Sequence, residues 1–126
     1  MTENINDGRR SYRTPLLRIV QTLGINRFKT ESQVVFDDHL LQAELFAFDS
    51  GQAITQTPTS TALLIQVIDG EFDVSAADET VKLAAGGLVH AMANLRQSVF
   101  CRKAGHLILF RFRTERPIFG LPLGLA

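Results

Sequence analysis

The sequence predicts an all-β fold, a barrel or sandwich of short antiparallel strands preceded by one short helix. Three observations carry this. Runs rich in β-branched, aromatic and aliphatic residues recur from residue 33 to residue 113. Glycine, proline, aspartate and asparagine separate those runs at short, regular intervals. Helical periodicity appears in one segment near the N-terminus. Many short strands divided by turn signals read as a sandwich or barrel.

Taken in order, residues 1–13 are polar and without periodicity, and are expected to form a frayed arm ahead of a single domain at residues 14–126. Thr14 suits a helix N-cap and Pro15 the first helical position. Leu16, Ile19, Val20 and Leu23 then share one face, and Gly24 is a natural stop. A helix of three turns is unstable alone, so its apolar stripe needs the barrel or a partner. Strand patterns follow at Gln33–Phe36 and Leu40–Phe48. In the latter, Leu41, Ala43, Leu45 and Ala47 alternate with Gln42, Glu44, Phe46 and Phe48. Further strand-like runs cover residues 61–68, 71–75, 80–84, 88–92, 97–102 and 107–113. Asp49-Ser50-Gly51, Pro58, Asp69-Gly70, Ala77-Asp78-Glu79, Gly86-Gly87, Asn94 and Ala104-Gly105 punctuate them. Gly51 and Gly70 are expected at positive φ. The tail from Arg116 to Ala126 is apolar but carries Pro117, Gly120, Pro122 and Gly124, which rule out a regular helix or central strand. It is expected to lie across the barrel or across a twofold partner.

A chain of 126 residues is one domain with a real core, and 45% apolar with 21% charged residues is ordinary for a soluble protein. Its apolar runs are far too short to span a bilayer, and Met1–Asp7 lacks the basic start and apolar run of a signal peptide. The single cysteine, Cys101, excludes an internal disulfide, and a cytoplasmic location is expected. The net charge is zero but segregated: both ends are basic, while residues 30–95 carry ten acidic side chains against Lys82. The ends are therefore expected to attract the acidic middle or a neighbouring subunit. No concentrated basic face with aromatic platforms appears, so neither nucleic acid nor membrane is an expected partner.

Two glycine-marked segments carry a resemblance. The first contains Gly51, Thr57, Pro58, Thr59, the run Leu63–Ile68 and the turn Asp69-Gly70-Glu71; the second contains Leu83, Ala85-Gly86, the run Leu88–Met92, Gln97 and Ser98-Val99. In spacing they resemble the two motifs of the cupin superfamily, over residues 41–113. The resemblance implies a double-stranded β-helix barrel of the jelly-roll kind. It also places the family's metal ligands, normally histidines and a glutamate, on Thr57, Thr59, Leu63 and Gln97. Met92 stands where the family usually has proline, and Gln97 where it has its last histidine. Threonine, leucine and an amide are poor ligands for zinc, iron or manganese, so neither metal nor other cofactor is expected.

Residues two apart on a strand share a face. Thr57 with Thr59, Gln97 with Val99 and Cys101, and Leu63 with Ile65 and Val67 are therefore expected to line the interior. His90, inside an apolar strand run, is a further candidate to point inward, whereas His39 and His106 read as surface residues beside turns. Cys101 reads as a buried thiol. The candidate ligand-binding set is thus Thr57, Thr59, Leu63, His90, Gln97, Val99 and Cys101, with no catalytic residue assigned. The leading functional expectation is a metal-free barrel, homodimeric, that binds an unidentified small and largely apolar molecule without turning it over. The alternatives are an enzyme, with His90 as acid and base or with a metal bound unconventionally, and an interaction module with a filled barrel.

Overall fold

The structure, a computed structural model, describes Val20, residues 22–58 and residues 61–113. Seven strands follow in order: β1 (Glu31–Asp37), β2 (Leu41–Phe48), β3 (Ala53–Gln56), β4 (Leu63–Ala76), β5 (Glu79–Ala84), β6 (Leu88–Ala91) and β7 (Gln97–Phe112). The expected arm lies outside the described residues, as does the tail. Of the expected helix, Val20, Thr22 and Leu23 alone are described. No helix among the described residues is long and apolar enough to cross a membrane.

The two longest strands organise the fold. β4 and β7 run antiparallel along their whole length, from Leu63 opposite Arg111 to Ala76 opposite Gln97. The sequence marks breaks at Asp69-Gly70 and Ala104-Gly105, but the ladder continues through both, with register shifts between Val67 and Phe72. Here the two glycines meet. Gly70 has φ +85°, and a Cβ on it would lie 2.6 Å from the Lys103 carbonyl oxygen and 2.8 Å from that of Ala104. A Cβ on Gly105 would overlap the Asp69 carbonyl and the Gly70 Cα. Bare backbone packs against bare backbone, so the ladder bends instead of ending.

The bend folds the ladder into two facing halves. Beside β4 and β7, one half carries β2 and then β1 on one side and β6 on the other. The opposite half carries β3 and β5. Their inner faces enclose a core that includes Phe46, Phe48, Leu63, Ile65, Val67, Phe72, Val74, Ala91, Val99, Cys101, Leu107 and Leu109. Phe48 and Phe72 meet edge to face across it, with ring centroids 5.1 Å apart. Both are fully buried. Phe48→Ala is expected to cost about 3–5 kcal/mol in urea unfolding, the usual toll of emptying a phenylalanine site.

β2 is buried on both faces. Ala43, Leu45 and Ala47, opposite to the core side, are as hidden as Phe46 and Phe48, and Ile108 joins them from β7. His106 lies on that outer side, opposite Ala47, and corrects the expectation of a surface histidine: it is 8% exposed. Its backbone N–H donates to Asp69 Oδ1 at 2.6 Å, and its Nδ1 lies 2.9 Å from the same oxygen. Its Nε2 lies 2.9 Å from the Leu23 carbonyl oxygen. Gly105 looks like a turn in sequence but sits within a strand, and this carries His106 into the fold.

Charge segregation finds its partners here. Arg102, Lys103, Arg111 and Arg113 of the basic C-terminal stretch pair with Asp73, Glu71, Glu44 and Asp37. The pairs at Glu71 and Asp37 are solvent-exposed and contribute about 0–1 kcal/mol each. Asp38 shapes the β1–β2 turn: its Oδ1 accepts from the Leu41 and Leu40 backbone N–H groups, which hold its carboxyl below the ordinary range.

Candidate functional site

Strand parity determines which side chains reach the barrel interior. On β7, Val99, Cys101, Leu107 and Leu109 are core residues, so Gln97 and Arg111 extend the same inward row at its two ends. On β2, Phe46 and Phe48 point inward, and Glu44 and Gln42 continue that row. On β3, Ile54 packs against the core, which puts Gln56 on the inner side. Pairing then gathers these ends: Gln42 lies opposite Arg111, Arg111 opposite Leu63, and Gln56 opposite Gln97. All of them sit at the end of the folded ladder away from the Gly70–Gly105 bend. That end is the mouth of the barrel.

Arg111 organises the mouth. Its Nη1 donates to Glu44 Oε1 at 2.7 Å and to Gln42 Oε1 at 3.1 Å, and its Nη2 donates to Gln56 Oε1 at 3.0 Å. Gln42 and Glu44 come from one half of the fold and Gln56 from the other, so the guanidinium spans the opening. The ion pair is largely screened from water, with 23% of the Arg111 and 17% of the Glu44 side chain exposed. Gln97 is 2% exposed. Its Nε2 donates to the Leu95 carbonyl at 3.0 Å and more weakly to that of Met92 at 3.5 Å. Flipping the amide would set its oxygen against those two carbonyls, which fixes the orientation. Gln97 Oε1 is left buried with no partner among the described residues.

Leu63, Gln97, Val99 and Cys101 all line the inner side, as strand periodicity requires. Two other placements are corrected. Thr57 is exposed, because Ile54 and Gln56 take the inward parity of β3 and residue 57 falls on the other. His90 also faces outward and is exposed, because Val89 packs on the core and Ala91 is buried opposite Leu63. Thr59 lies outside the described residues. Gln42, Glu44, Gln56 and Arg111 were not singled out from sequence. Their one signal is a polar pair, Gln42 and Glu44, on a β2 row that ends in phenylalanines, and an arginine interrupting the apolar run Leu107–Phe112.

No protein-family model matches this chain, and no curated protein matches it. Solved structures do. A conserved protein of unknown function from Streptococcus pyogenes superposes with TM-score 0.72 at 18% identity, covering 82% of this chain and 91% of that one. A cupin superfamily protein from Desulfitobacterium hafniense gives 0.71 at 14% identity, covering 79% and 91%. An RmlC-like cupin from Shewanella frigidimarina gives 0.62 at 22% identity, covering 69% and 78%. The protein has a cupin fold. At these identities the likeness establishes the fold, and the chemistry of this chain has to be read from its own residues.

Those residues do not fit the metal of the cupin motifs. Of the four corresponding positions, Leu63 has no donor atom, Thr57 faces solvent, Thr59 lies outside the described residues, and Gln97 offers a neutral amide oxygen, a poor ligand for zinc, iron or manganese. Directly across from Leu63 stands Arg111, whose hydrogen bond engages the Glu44 carboxylate, the kind of anionic ligand a metal ion would need. No group of three or more His, Cys, Asp or Glu among the described residues is placed to hold a metal ion.

Cys101 lies deeper on the same inner row. Burial, helped by the negative charge of Asp49, pushes its thiol up to about 11, and its Sγ donates to the Lys103 carbonyl at 3.2 Å. We predict that iodoacetamide leaves the folded protein unmodified near neutral pH and labels Cys101 once urea unfolds it. The linkage has a definite sign. The unfolded thiol ionises near 9.0 and the folded one near 11, so its contribution to stability is complete below the first value and is lost as pH rises towards the second. Wild type is expected to lose more stability than Cys101→Ala over that interval in urea titrations.

A groove of about 210 Å³ opens on the outside of the barrel, beside Glu71, Asp73, Lys82, Leu83 and Arg102. Asp73 Oδ2 accepts from Arg102 Nε at 2.7 Å, while Oδ1 is buried without a partner among the described residues. Lys82 stands directly opposite Asp73 on β5. Arg102 and Lys103 pair with Asp73 and Glu71 there, and the mouth, which gathers polar groups from both halves of the fold, is the better candidate site.

Proposed function

We propose that this chain is a metal-free cupin domain that binds a small molecule in the mouth of its barrel and does not transform it. The observation that carries the reading is Gln97 Oε1, a buried acceptor without a partner among the described residues, beside a ring of polar side chains. Leaving such a group unsatisfied costs about 1–3 kcal/mol, which a ligand donor or a held water recovers. The surrounding ring is ordered by Arg111, and Leu63, Ala91 and Val99 adjoin it in the inward rows, the mixture of apolar side chains and few polar groups that small-molecule sites use. Binding without turnover is favoured because the titratable groups of the mouth, Glu44 and Arg111, are committed to each other. His90 lies outside it.

The test is a thermal-shift screen of small organic molecules against wild type and Gln97→Met. A ligand at a hundred times its Kd adds about 2.7 kcal/mol, which raises Tm by roughly 5–10 °C in a domain of this size. Hits are expected to stabilise wild type and to lose most of that effect in the variant. A screen without hits, or hits that stabilise both proteins equally, contradicts the reading.

We also propose a cytoplasmic homodimer. The β6 side of the sheet exposes Leu88 and Met92, 56% and 64% accessible, beside a strand edge with no partner among the described residues, and covering them suits a second copy. Light scattering is expected to give twice the chain mass for wild type and a lower mass for Leu88→Lys. A monomeric wild type removes this part of the proposal.

A further inference from the structure

We infer that the molecule held in the mouth is neutral and presents a hydroxyl group on an apolar body. This rests on the mouth being the binding site and adds the chemical class of the ligand.

The first argument is charge. Arg111 and Glu44 neutralise one another at 2.7 Å, and the other polar side chains of the ring, Gln42, Gln56 and Gln97, are amides. Among the described residues, the ring therefore carries no net charge. A charged head group entering it would lose hydration without meeting an uncommitted counter-charge, a heavy penalty in a screened site.

The second argument is the match of donors to acceptors. Glu44, Gln42 and Gln56 each turn a side-chain oxygen to the Arg111 guanidinium. What the amides of Gln42 and Gln56 then offer an incoming molecule are their Nε2 donors. Gln97 is reversed: its Nε2 is tied to the Leu95 and Met92 carbonyls, and its Oε1 is the spare acceptor. Gln56 and Gln97 are directly opposite cross-strand neighbours, so a donor and an acceptor are presented side by side. A hydroxyl answers both at once, donating to Gln97 Oε1 and accepting from Gln56 Nε2. An ether supplies the acceptor alone. A carboxylate supplies acceptors and an unwanted charge, and an ammonium supplies donors and the opposite charge. Leu63, Ala91 and Val99 adjoin these groups in the inward rows and suit an apolar body.

Amide NMR titration of the full chain with four probes sharing one body tests this: benzyl alcohol, benzyl methyl ether, benzoate and benzylammonium. Benzyl alcohol is expected to shift the side-chain amide signals of Gln42, Gln56 and Gln97 and to bind at least about tenfold more tightly than the other three. In Gln97→Met the preference for alcohol over ether is expected to fall below about threefold. If that variant fails to fold, the alcohol-to-ether ratio in wild type decides by itself. An ether, benzoate or ammonium that binds at the same glutamines as tightly as the alcohol overturns the ligand class and leaves the site standing. Probes that leave all three glutamine signals unmoved, or shift only residues elsewhere, overturn the site and the class together.

Discussion

Gly105→Ala is expected to lose about 3–5 kcal/mol in urea unfolding, a large share of the stability of a small domain. The added methyl would overlap the Asp69 carbonyl and the Gly70 Cα, and both obstacles are backbone, so no side chain can swing aside. Relief requires opening the bend that brings the two halves of the barrel together. Gly70→Ala meets the same crowding and adds the strain of φ +85° to it. Gly24 is the control. A Cβ there meets nothing within 4 Å among the described residues, and Gly24→Ala is expected to change stability by no more than about 1 kcal/mol. A Gly105→Ala protein as stable as wild type would mean that the ladder does not bend where we place it.

Arg111→Met is expected to cost about 3 kcal/mol, the lower end of the range for breaking a buried ion pair. The substitution leaves the Glu44 carboxylate screened from water without its cation. It also takes the shared donor away from Gln42 and Gln56. The loss is expected to be non-additive. Glu44→Gln removes the stranded charge, so the double variant Glu44→Gln/Arg111→Met should be more stable than Arg111→Met alone, with a coupling of about 2 kcal/mol. Equal losses at Arg111 and Glu44 that simply add would show that the ion pair does not organise the mouth. Chemical denaturation of the four proteins completes the cycle.

The fold was legible in sequence because its strands obey period two and its turns carry turn residues. Leu63, Ile65 and Val67, and again Val99 and Cys101, face the core where alternation places them. The same rule left His90 ambiguous. Leu88, Val89, Ala91 and Met92 are apolar on both parities, so nothing within the segment tells its inner face from its outer one. The pairing of Ala91 with Leu63 decides it. Gly70 and Gly105 read as strand ends because a glycine that ends a strand and one that lets two backbones touch look alike in a single sequence. The consequence was to misplace His106, which belongs to an uninterrupted β7. The mouth was harder still. Arg111 bonds to Gln42 across 69 positions, to Glu44 across 67 and to Gln56 across 55, and no local pattern records contacts made at that separation. Motif spacing pointed to Thr57, Leu63 and Gln97, and strand parity places Leu63 and Gln97 at the end of the barrel that also holds Arg111. The side chains that Arg111 bonds there come from β2 and β3, outside those positions.

A guanidinium, in place of a metal ion, is the proposed organiser of this barrel mouth. The decisive measurement is metal content by plasma mass spectrometry on untagged protein purified without chelator. Iron, manganese, zinc and nickel are each expected far below one ion per chain, with a Tm unchanged by added chelator. Near-stoichiometric metal whose removal lowers Tm would contradict the proposal.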